Sequence, residues 1–290
     1  MKITKKTAFF LLSFFIVLAY FIYKKWPDRS IKVVFCDVGQ GDSILIQQGF
    51  FQVLFDSGED DRVLGCLGYV LPFWDRVIEV GIVSHFDSDH MGYFGEVMGM
   101  FSWKEIYSLQ STKKTLQVQR LLEAFERAIS YGTVAKQPVL GQTIVLPSGA
   151  KIIFLEVESF LKEKNIILSE NDRTLGVLLE VGDKKWLFTG DGEDTWESSL
   201  LEIGVLPQVD VLKIGHHGSL TSSSVNFLES VAPELAVMSV GSNSFGHPHK
   251  ETLDNLQERG VKILRTDKSG DIIFSTNGEQ IWIDEVRKRP

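Results

Sequence analysis

The sequence feature that most constrains the fold is an apolar run, residues 76–84, that leads directly into a cluster of potential metal ligands. The run predicts a buried β-strand, and the loop that leaves it reads HFDSDH at residues 85–90. Imidazoles and carboxylates on one tight turn can converge on a cation, and this mixture suits a divalent ion used in hydrolysis. The stretch therefore predicts a metal site at a strand end. The alternative is a solvated acidic loop with two incidental histidines.

The same arrangement recurs, because acids and histidines directly follow other predicted strands. Asp56 follows residues 51–55 in FDSG, and Asp191 ends KKWLFTGD. All histidines of the chain lie after predicted strands: His85, His90, His216, His217, His247 and His249. The accompanying acids are Asp56, Asp87, Asp89, Asp191 and either Asp37 or Asp42. Folds present reactive groups at the strand ends of a rigid sheet, so the pattern predicts one composite site.

Short apolar strands with interleaved helices make up the chain after residue 30. Strands are predicted at residues 31–36, 43–47, 51–55, 76–84, 143–146, 151–155, 175–181, 184–189, 209–214, 235–240, 261–265, 271–275 and 279–284. Helices are predicted at residues 61–74, 92–101, 114–131, 194–203, 222–231 and 249–259. This order fits packed sheets covered by helices. No repeat or low-complexity linker divides residues 28–290, which we predict to form one catalytic domain.

An apolar segment at residues 7–23, with lysines on both sides, precedes this domain. Its length lies at the short end of the roughly 17–25 residues that span a bilayer. We find no small-x-small cleavage site before Lys24, so residues 1–27 predict an uncleaved membrane anchor. The expectation is a single-pass protein of the cell membrane with its hydrolase domain outside the cytoplasm. A cleaved signal and a secreted protein are the alternative, because the flanking lysines give little orientation.

The charge and the cysteines limit the possible functions. The formal net charge of −8 argues against a broad basic surface that grips nucleic acid, but not against a nuclease whose metal meets one phosphate. Cys36 and Cys66 belong to no CxxC pair, which makes a cysteine zinc site a poor expectation. Cys36 is either a small core residue or the partner of Cys66 in a disulfide, which needs an oxidising compartment.

Several motifs resemble those of the metallo-β-lactamase superfamily. HFDSDHMGY is similar to its H-x-H-x-D-H pattern. Together with DVGQGDSILI, FDSG, TGD, DVLKIGHHGS and SVGSNSFGHPH, it resembles the hydrolase domain of ComEC-type DNA-uptake competence proteins over about residues 31–275. The resemblance implies an α/β fold, an αββα sandwich with a metal site at one edge. The N-terminal transmembrane helix predicted from residues 7–23 precedes this sandwich. It does not extend to the multi-helix channel of the full competence protein.

The resemblance also implies metal ligands around two positions. They are His85 and Asp87 at the first, Asp89 and His90 at the second, Asp191 as a bridge, and one of His216 and His217. Asp87 stands where most of the superfamily has histidine, a substitution that the ComEC branch shares and that favours Mn²⁺ over Zn²⁺. The superfamily has a further histidine before the TGD motif, whereas this chain has none between His90 and His216. We therefore expect one or two divalent ions, with the first position weak or empty.

Catalytic roles follow from the chemistry of such an ion. A bound divalent ion lowers the pKa of water toward neutrality, and two ions about 3.5–4 Å apart clamp both reacting oxygens of a phosphoryl group. Asp191 or Asp89 would accept the proton of that water. His247 would donate a hydrogen bond to a phosphate or leaving group, whereas His249 is more simply explained as a cap of the following helix.

Two polar residues are expected to support the ligands. Asp56 would orient a ligand histidine through a hydrogen bond, with an ordinary turn residue as its alternative. Asn171 in ENDRT stands where the ComEC branch carries an Asn-x-x-Ser-like motif, and it would face the site as a polar contact.

These features predict a membrane-anchored, metal-dependent hydrolase that acts on phosphodiesters. DNA as the substrate follows from the resemblance alone, because a fold does not fix a substrate. A second hypothesis keeps the site and changes the substrate to a phosphorylcholine-type diester, a lactone or a β-lactam. A third is a non-catalytic binding or scaffold domain whose metal site is degenerate.

Overall fold

Two β-sheets lie face to face in the computed structural model, which describes residues 5–27 and 30–288. The strands are β1 (Ile31–Phe35), β2 (Ile44–Gln48), β3 (Phe51–Phe55), β4 (Val77–Val83), β5 (Ser102–Ser108), β6 (Val134–Lys136), β7 (Thr143–Val145), β8 (Lys151–Leu155), β9 (Gly176–Val181), β10 (Lys184–Phe188), β11 (Val211–Lys213), β12 (Leu235–Met238), β13 (Lys262–Arg265), β14 (Asp271–Thr276) and β15 (Ile281–Arg287). The helices are α1 (Lys5–Lys24), α2 (Arg62–Val70), α3 (Ser88–Met91), α4 (Phe94–Met98), α5 (Leu116–Ser130), α6 (Glu158–Glu163), α7 (Asp194–Ile203), α8 (Val225–Val231), α9 (Lys250–Glu258) and α10 (Thr266–Ser269).

Each sheet combines an antiparallel part with a parallel part. One has the order β15-β14-β1-β2-β3-β4-β5-β6, and the other has the order β13-β12-β11-β10-β9-β8-β7. The pairs from β3 to β6 and from β10 to β13 are parallel. Parallel neighbours need crossover connections, which the intervening helices supply. The carboxyl ends of these parallel strands carry the loops predicted to hold the metal ligands.

The alternation of apolar residues along the strands fills three layers of core. On β1, Val33 and Phe35 face the other sheet, whereas Val34 faces the covering helices. The ring of Phe35 contacts Phe188 of the opposite sheet, with centroids 6.0 Å apart. A separate apolar cluster lies between the second sheet and helices α7, α8 and α9. The order helix, sheet, sheet, helix confirms the predicted αββα sandwich.

The helix α1 covers the predicted apolar segment and is long and apolar enough to cross a membrane. Its 20 residues extend about 30 Å, the thickness of the hydrocarbon core of a bilayer. None of its described residues is buried against the rest of the chain. The domain boundary predicted after residue 27 falls on residues 28 and 29, which lie outside the described residues, and it stays a prediction.

A disulfide joins Cys36, directly after β1, to Cys66 on α2, with the two Cα atoms 5.7 Å apart. Both cysteines are fully buried, so the bond ties the sheet to a covering helix inside the core. Of the two alternatives for Cys36, the structure contains the disulfide.

The main differences from the predicted elements lie between residues 88 and 136. The helix predicted at 92–101 is wrong in extent, because α3 precedes it and α4 ends at Met98. The strands β5 and β6 were not predicted. In β5 the charged residues Lys104 and Glu105 interrupt the apolar pattern. The segment forms a strand because its backbone pairs with β4. β6 has only three residues, which is too short for a readable alternation.

Candidate metal centre

The loops after β4, β10 and β11 meet at one edge of the sandwich, where four imidazoles surround the carboxylate of Asp191. From its oxygens, the distances to the ring Nε2 atoms are 3.1 Å for His90, 3.5 Å for His217, and 3.9 Å for His85 and His216. Asp191 is the one side chain that lies near all four rings among the described ion pairs. It therefore has the central position expected of a group shared by two metal positions.

Four of the residues form a compact ligand group: Asp89, His90, Asp191 and His217, whose ligand atoms all lie within 4.8 Å of one another. The Nε2 atom of His217 lies 3.2 Å from Asp89 Oδ2 and 3.3 Å from Nε2 of His90. Burial lowers the pKa of His217, but Asp191 and Asp89 outweigh it and raise that pKa to about 9. Burial likewise opposes protonation of His90, yet the carboxylate of Asp191 raises its pKa well above the usual value. The buried carboxylate of Asp191 and the partly exposed carboxylate of Asp89 thus attract positive charge to this point.

The other ring nitrogen of each histidine is occupied, which aims Nε2 at the centre. A donor at Nδ1 fixes the tautomer and leaves the Nε2 lone pair for a metal. The Nδ1 contacts are His90 to Asp56 Oδ2 at 2.8 Å, His217 to the Ser239 carbonyl at 2.7 Å, His85 to Ser84 Oγ at 2.9 Å and His216 to Glu193 Oε1 at 3.1 Å.

Asp56 lies directly behind His90. It is fully buried, and its carboxylate accepts hydrogen bonds from the backbone N–H and the hydroxyl of Ser84 at 2.8 and 2.6 Å as well as from His90. Since the Ser84 hydroxyl also contacts His85, a single carboxylate restrains two of the four rings. Asp56 thus occupies a place suited to orienting a ligand.

The two adjacent histidines of the HHG sequence occupy different positions. His216 and His217 both adopt left-handed backbone, with φ of 45° and 54°. Such conformations cost about 1–3 kcal/mol each and occur at functional sites. His217 is fully inside the compact group, whereas His216 is partly exposed and lies outside it. The structure thus gives His216 and His217 different positions, whereas the sequence left open which of them binds metal.

Asp87 does not join the compact group. Its Oδ2 atom lies 3.8 Å from Nε2 of His85, and its other oxygen forms an ion pair with the ammonium of Lys113. Burial and the neighbouring His90 lower the pKa of His85 well below its usual value. The two predicted metal positions therefore differ: the second is compact, and the first is loose.

Asn171 and Glu193 lie on the far side of His216. The amide of Asn171 is 3.1 Å from Glu193 Oε1 and 3.3 Å from His216 Nδ1. The same Glu193 oxygen accepts a hydrogen bond of 2.6 Å from the hydroxyl of Thr221. Sequence reasoning missed Glu193, although its place two residues after Asp191 of the TGD motif was an available signal.

His247 and His249 lie at the rim, beyond His216. The ring centroids of His216 and His247 are 5.2 Å apart, as are those of His247 and His249. Burial and the neighbouring His216 lower the pKa of His247 to about 4. His249 lies at the N-cap position of α9, as predicted, although its side chain makes no capping hydrogen bond.

A buried ion pair lies beneath the ligands. Its acid, Asp42, is one of the two alternatives named from the sequence, whereas its partner Lys213 was missed. Lys213 and Asp42 are both fully buried, with Nζ 2.5 Å from Oδ2, and Nζ also donates to the Gly190 carbonyl at 2.7 Å. The Lys213 ammonium is 3.6 Å from Asp191, and Asp42 lies 3.8 Å from Nδ1 of His90. The only sequence signal was a lysine within the apolar DVLKIG strand.

The residues present fit a divalent metal ion. Imidazole nitrogens and carboxylate oxygens are the donors that zinc and manganese bind in hydrolytic sites. Within the described part of the chain, the buried Oδ1 of Asp191, inside the compact ligand group, accepts no hydrogen bond of acceptable geometry. Buried polar atoms are normally paired, so this atom favours a missing cationic partner.

The chain is similar in sequence to three competence or recombination proteins. ComE operon protein 3 of Bacillus subtilis (strain 168) is 28% identical over 287 residues, covering 88% of this chain and 34% of that protein. Competence protein ComA of Neisseria gonorrhoeae is 31% identical over 254 residues, covering 86% and 33%. Recombination protein 2 of Haemophilus influenzae is 26% identical, covering 96% and 33%. The chain thus spans about a third of the length of these curated relatives.

Solved structures show the same fold at low identity, although no family model matches the chain. The metallo-β-lactamase fold protein YhfI from Bacillus subtilis superposes with a TM-score of 0.56 at 15% identity, covering 85% of this chain and all of that one. A variant of CmlA β-hydroxylase gives a TM-score of 0.54 at 13% identity, covering 85% and 54%. One of these names denotes a hydroxylase, so the fold alone does not decide the reaction. From its competence-protein relatives and its two-sheet sandwich, the chain is a ComEC-like protein of the metallo-β-lactamase fold.

Proposed function

We propose that this chain is a metal-dependent phosphodiesterase that cleaves DNA. The observation that carries the proposal is the convergence of four imidazole Nε2 atoms on the carboxylate of Asp191. Asp89, His90, Asp191 and His217 would hold the ion, with His85, Asp87 and His216 around it. DNA as the substrate is supported by the names of the competence relatives.

The groups of the chain divide the work at such a centre. A divalent ion bound there would supply a water of lowered pKa and polarise a phosphoryl oxygen. Asp89 is 27% exposed and reaches solvent from inside the ligand group, so its carboxylate is placed to accept a proton from an entering water. His247, at the rim, is placed to donate a hydrogen bond to the phosphate or the leaving oxygen. Asp56 and Glu193 hold His90 and His216 in orientation.

The test is DNA cleavage by the full chain purified in detergent. We expect plasmid DNA to be cut with Mn²⁺ or Zn²⁺, the activity to vanish with EDTA, and Mn²⁺ to restore it. The His247→Ala variant, which removes the N–H donor, should keep its bound metal and lose about 10²-fold in rate, the usual loss when one positioned hydrogen-bond donor is removed.

Two outcomes of this assay would contradict the proposal. Turnover of a small diester or lactone without any DNA cleavage would show another metallohydrolase. A folded chain that binds no divalent ion would favour the non-catalytic binding domain. Lys250→Gln is the control for the substitution of His247, because it alters an exposed charge outside the ligand group.

We propose that the domain lies outside the cytoplasm, attached to the cell membrane through α1. The buried Cys36–Cys66 disulfide supports this, since disulfides persist in oxidising compartments. Protease added to intact cells stripped of their wall should digest the domain. Protection until the membrane is lysed would place the domain in the cytoplasm.

A further inference from the structure

The loop after β5 places the ammonium of Lys113 on the carboxylate of Asp87. Both side chains are about a quarter exposed, at 26% and 27%, so the pair lies within the edge of the site rather than on open surface. The loop is itself held: the Lys113 backbone N–H donates to Ser111 Oγ at 3.1 Å, and Thr112 donates to Glu170 at 3.1 Å. Lys113 is thus fixed over one of the two predicted metal positions.

A small cavity lies beside this position. It is lined by His85, Asp87 and Lys113 together with other residues of the loop after β5 and with Glu170 and Arg173, and its volume of about 10 Å³ is space for about one water molecule. The compact ligand group at the second position includes neither His85 nor Asp87. The second position therefore offers a compact set of metal ligands, whereas the first already contains a cation from the chain.

We infer that Lys113 takes the place of a metal ion at the first position, so that the centre binds a single divalent cation between Asp89, His90, Asp191 and His217. This rests on the proposed metal site. The Lys113 ammonium already balances the carboxylate of Asp87, which leaves the carboxylates of Asp89 and Asp191 for the ion in the compact group. A second ion would have to displace the lysine from Asp87 and then lie close to its repelling charge.

The sequence agrees with this assignment. No histidine lies between His90 and His216, the interval in which the first position was expected to lack a ligand. Lys113 falls in that interval. The chain thus has a cationic side chain near a position where a metal would have one imidazole too few.

The test is the metal content of the full chain in detergent, measured by plasma mass spectrometry after loading with Mn²⁺ and desalting. We expect one ion per chain in the wild type and two in Lys113→Met, which removes the charge and keeps the side-chain volume. Lys113→Arg, which keeps the charge, should bind one. The adjacent exposed Lys114→Met is the matched control and should also bind one.

The stoichiometries separate this inference from the proposed function. Two ions in the wild type would overturn the role of Lys113 and leave the hydrolase proposal standing. One ion in both wild type and Lys113→Met, with Lys113→Met folded by circular dichroism, would also overturn it. No ion in the wild type would overturn the metal centre and the inference together. If Lys113→Met does not fold, Lys113→Gln takes its place with the same expectation.

Discussion

The Asp191→Asn variant is expected to lose its bound metal and at least about 10³-fold in hydrolysis rate, an effect of the size seen when a central catalytic group is removed. Asp191 is the only side chain whose oxygens approach all four imidazoles in the described ion pairs, at 3.1–3.9 Å. The amide keeps the shape of the side chain but carries no negative charge, so its attraction for the metal ion weakens. Metal content and the initial rate of DNA cleavage measure the loss.

Asp194→Asn is the matched control for this change. It alters the same functional group at the start of α7, three positions along the chain and outside the ligand group. We expect it to retain its metal and activity. An Asp191→Asn protein with wild-type metal content and rate would contradict the central position given to this carboxylate, and so would an equal loss in Asp194→Asn.

The Lys213→Met variant should lose about 3–5 kcal/mol of unfolding free energy, because removing one partner leaves a buried, uncompensated charge. Its partner Asp42 is fully buried, and Nζ of Lys213 lies 2.5 Å from Oδ2 of Asp42. The double variant Lys213→Met with Asp42→Leu should recover most of this loss, since an apolar pair of similar volume needs no desolvated charges. Urea denaturation of the metal-free protein measures both.

Removing an exposed ion pair provides the comparison. Lys250→Met breaks a pair between side chains that are 85% and 44% exposed, and it should leave the urea midpoint nearly unchanged. If Lys213→Met behaved like Lys250→Met, or if the double variant were as unstable as the single one, the buried pair would not stabilise the floor of the site as described.

Local patterns were sufficient for most of the fold. The strands β1, β2, β3 and β4 were predicted because their apolar residues are continuous and end at turn or ligand residues. The ligand loops were predictable for the same reason: residues that follow parallel strands come together at one sheet edge. β5 was missed because its identity depends on pairing with β4, which lies outside any local window.

Contacts between residues far apart in the sequence could not be predicted from local patterns. Nothing near Lys113 indicates that it pairs with Asp87, and nothing near Asp42 indicates that it pairs with Lys213. The choice between His216 and His217 likewise depends on two successive left-handed residues. The sequence identifies the candidate ligand residues, whereas the difference between the two metal positions appears only in the structure.

The central claim is that carboxylates and imidazoles from separate strand ends hold one divalent cation. Anomalous diffraction at the manganese edge, from crystals of the full chain grown with Mn²⁺, tests it most directly. We expect one strong peak within ligand distance of Nε2 of His90 and His217 and of the oxygens of Asp89 and Asp191. A peak elsewhere, or no peak at this edge of the sandwich, would contradict the claim.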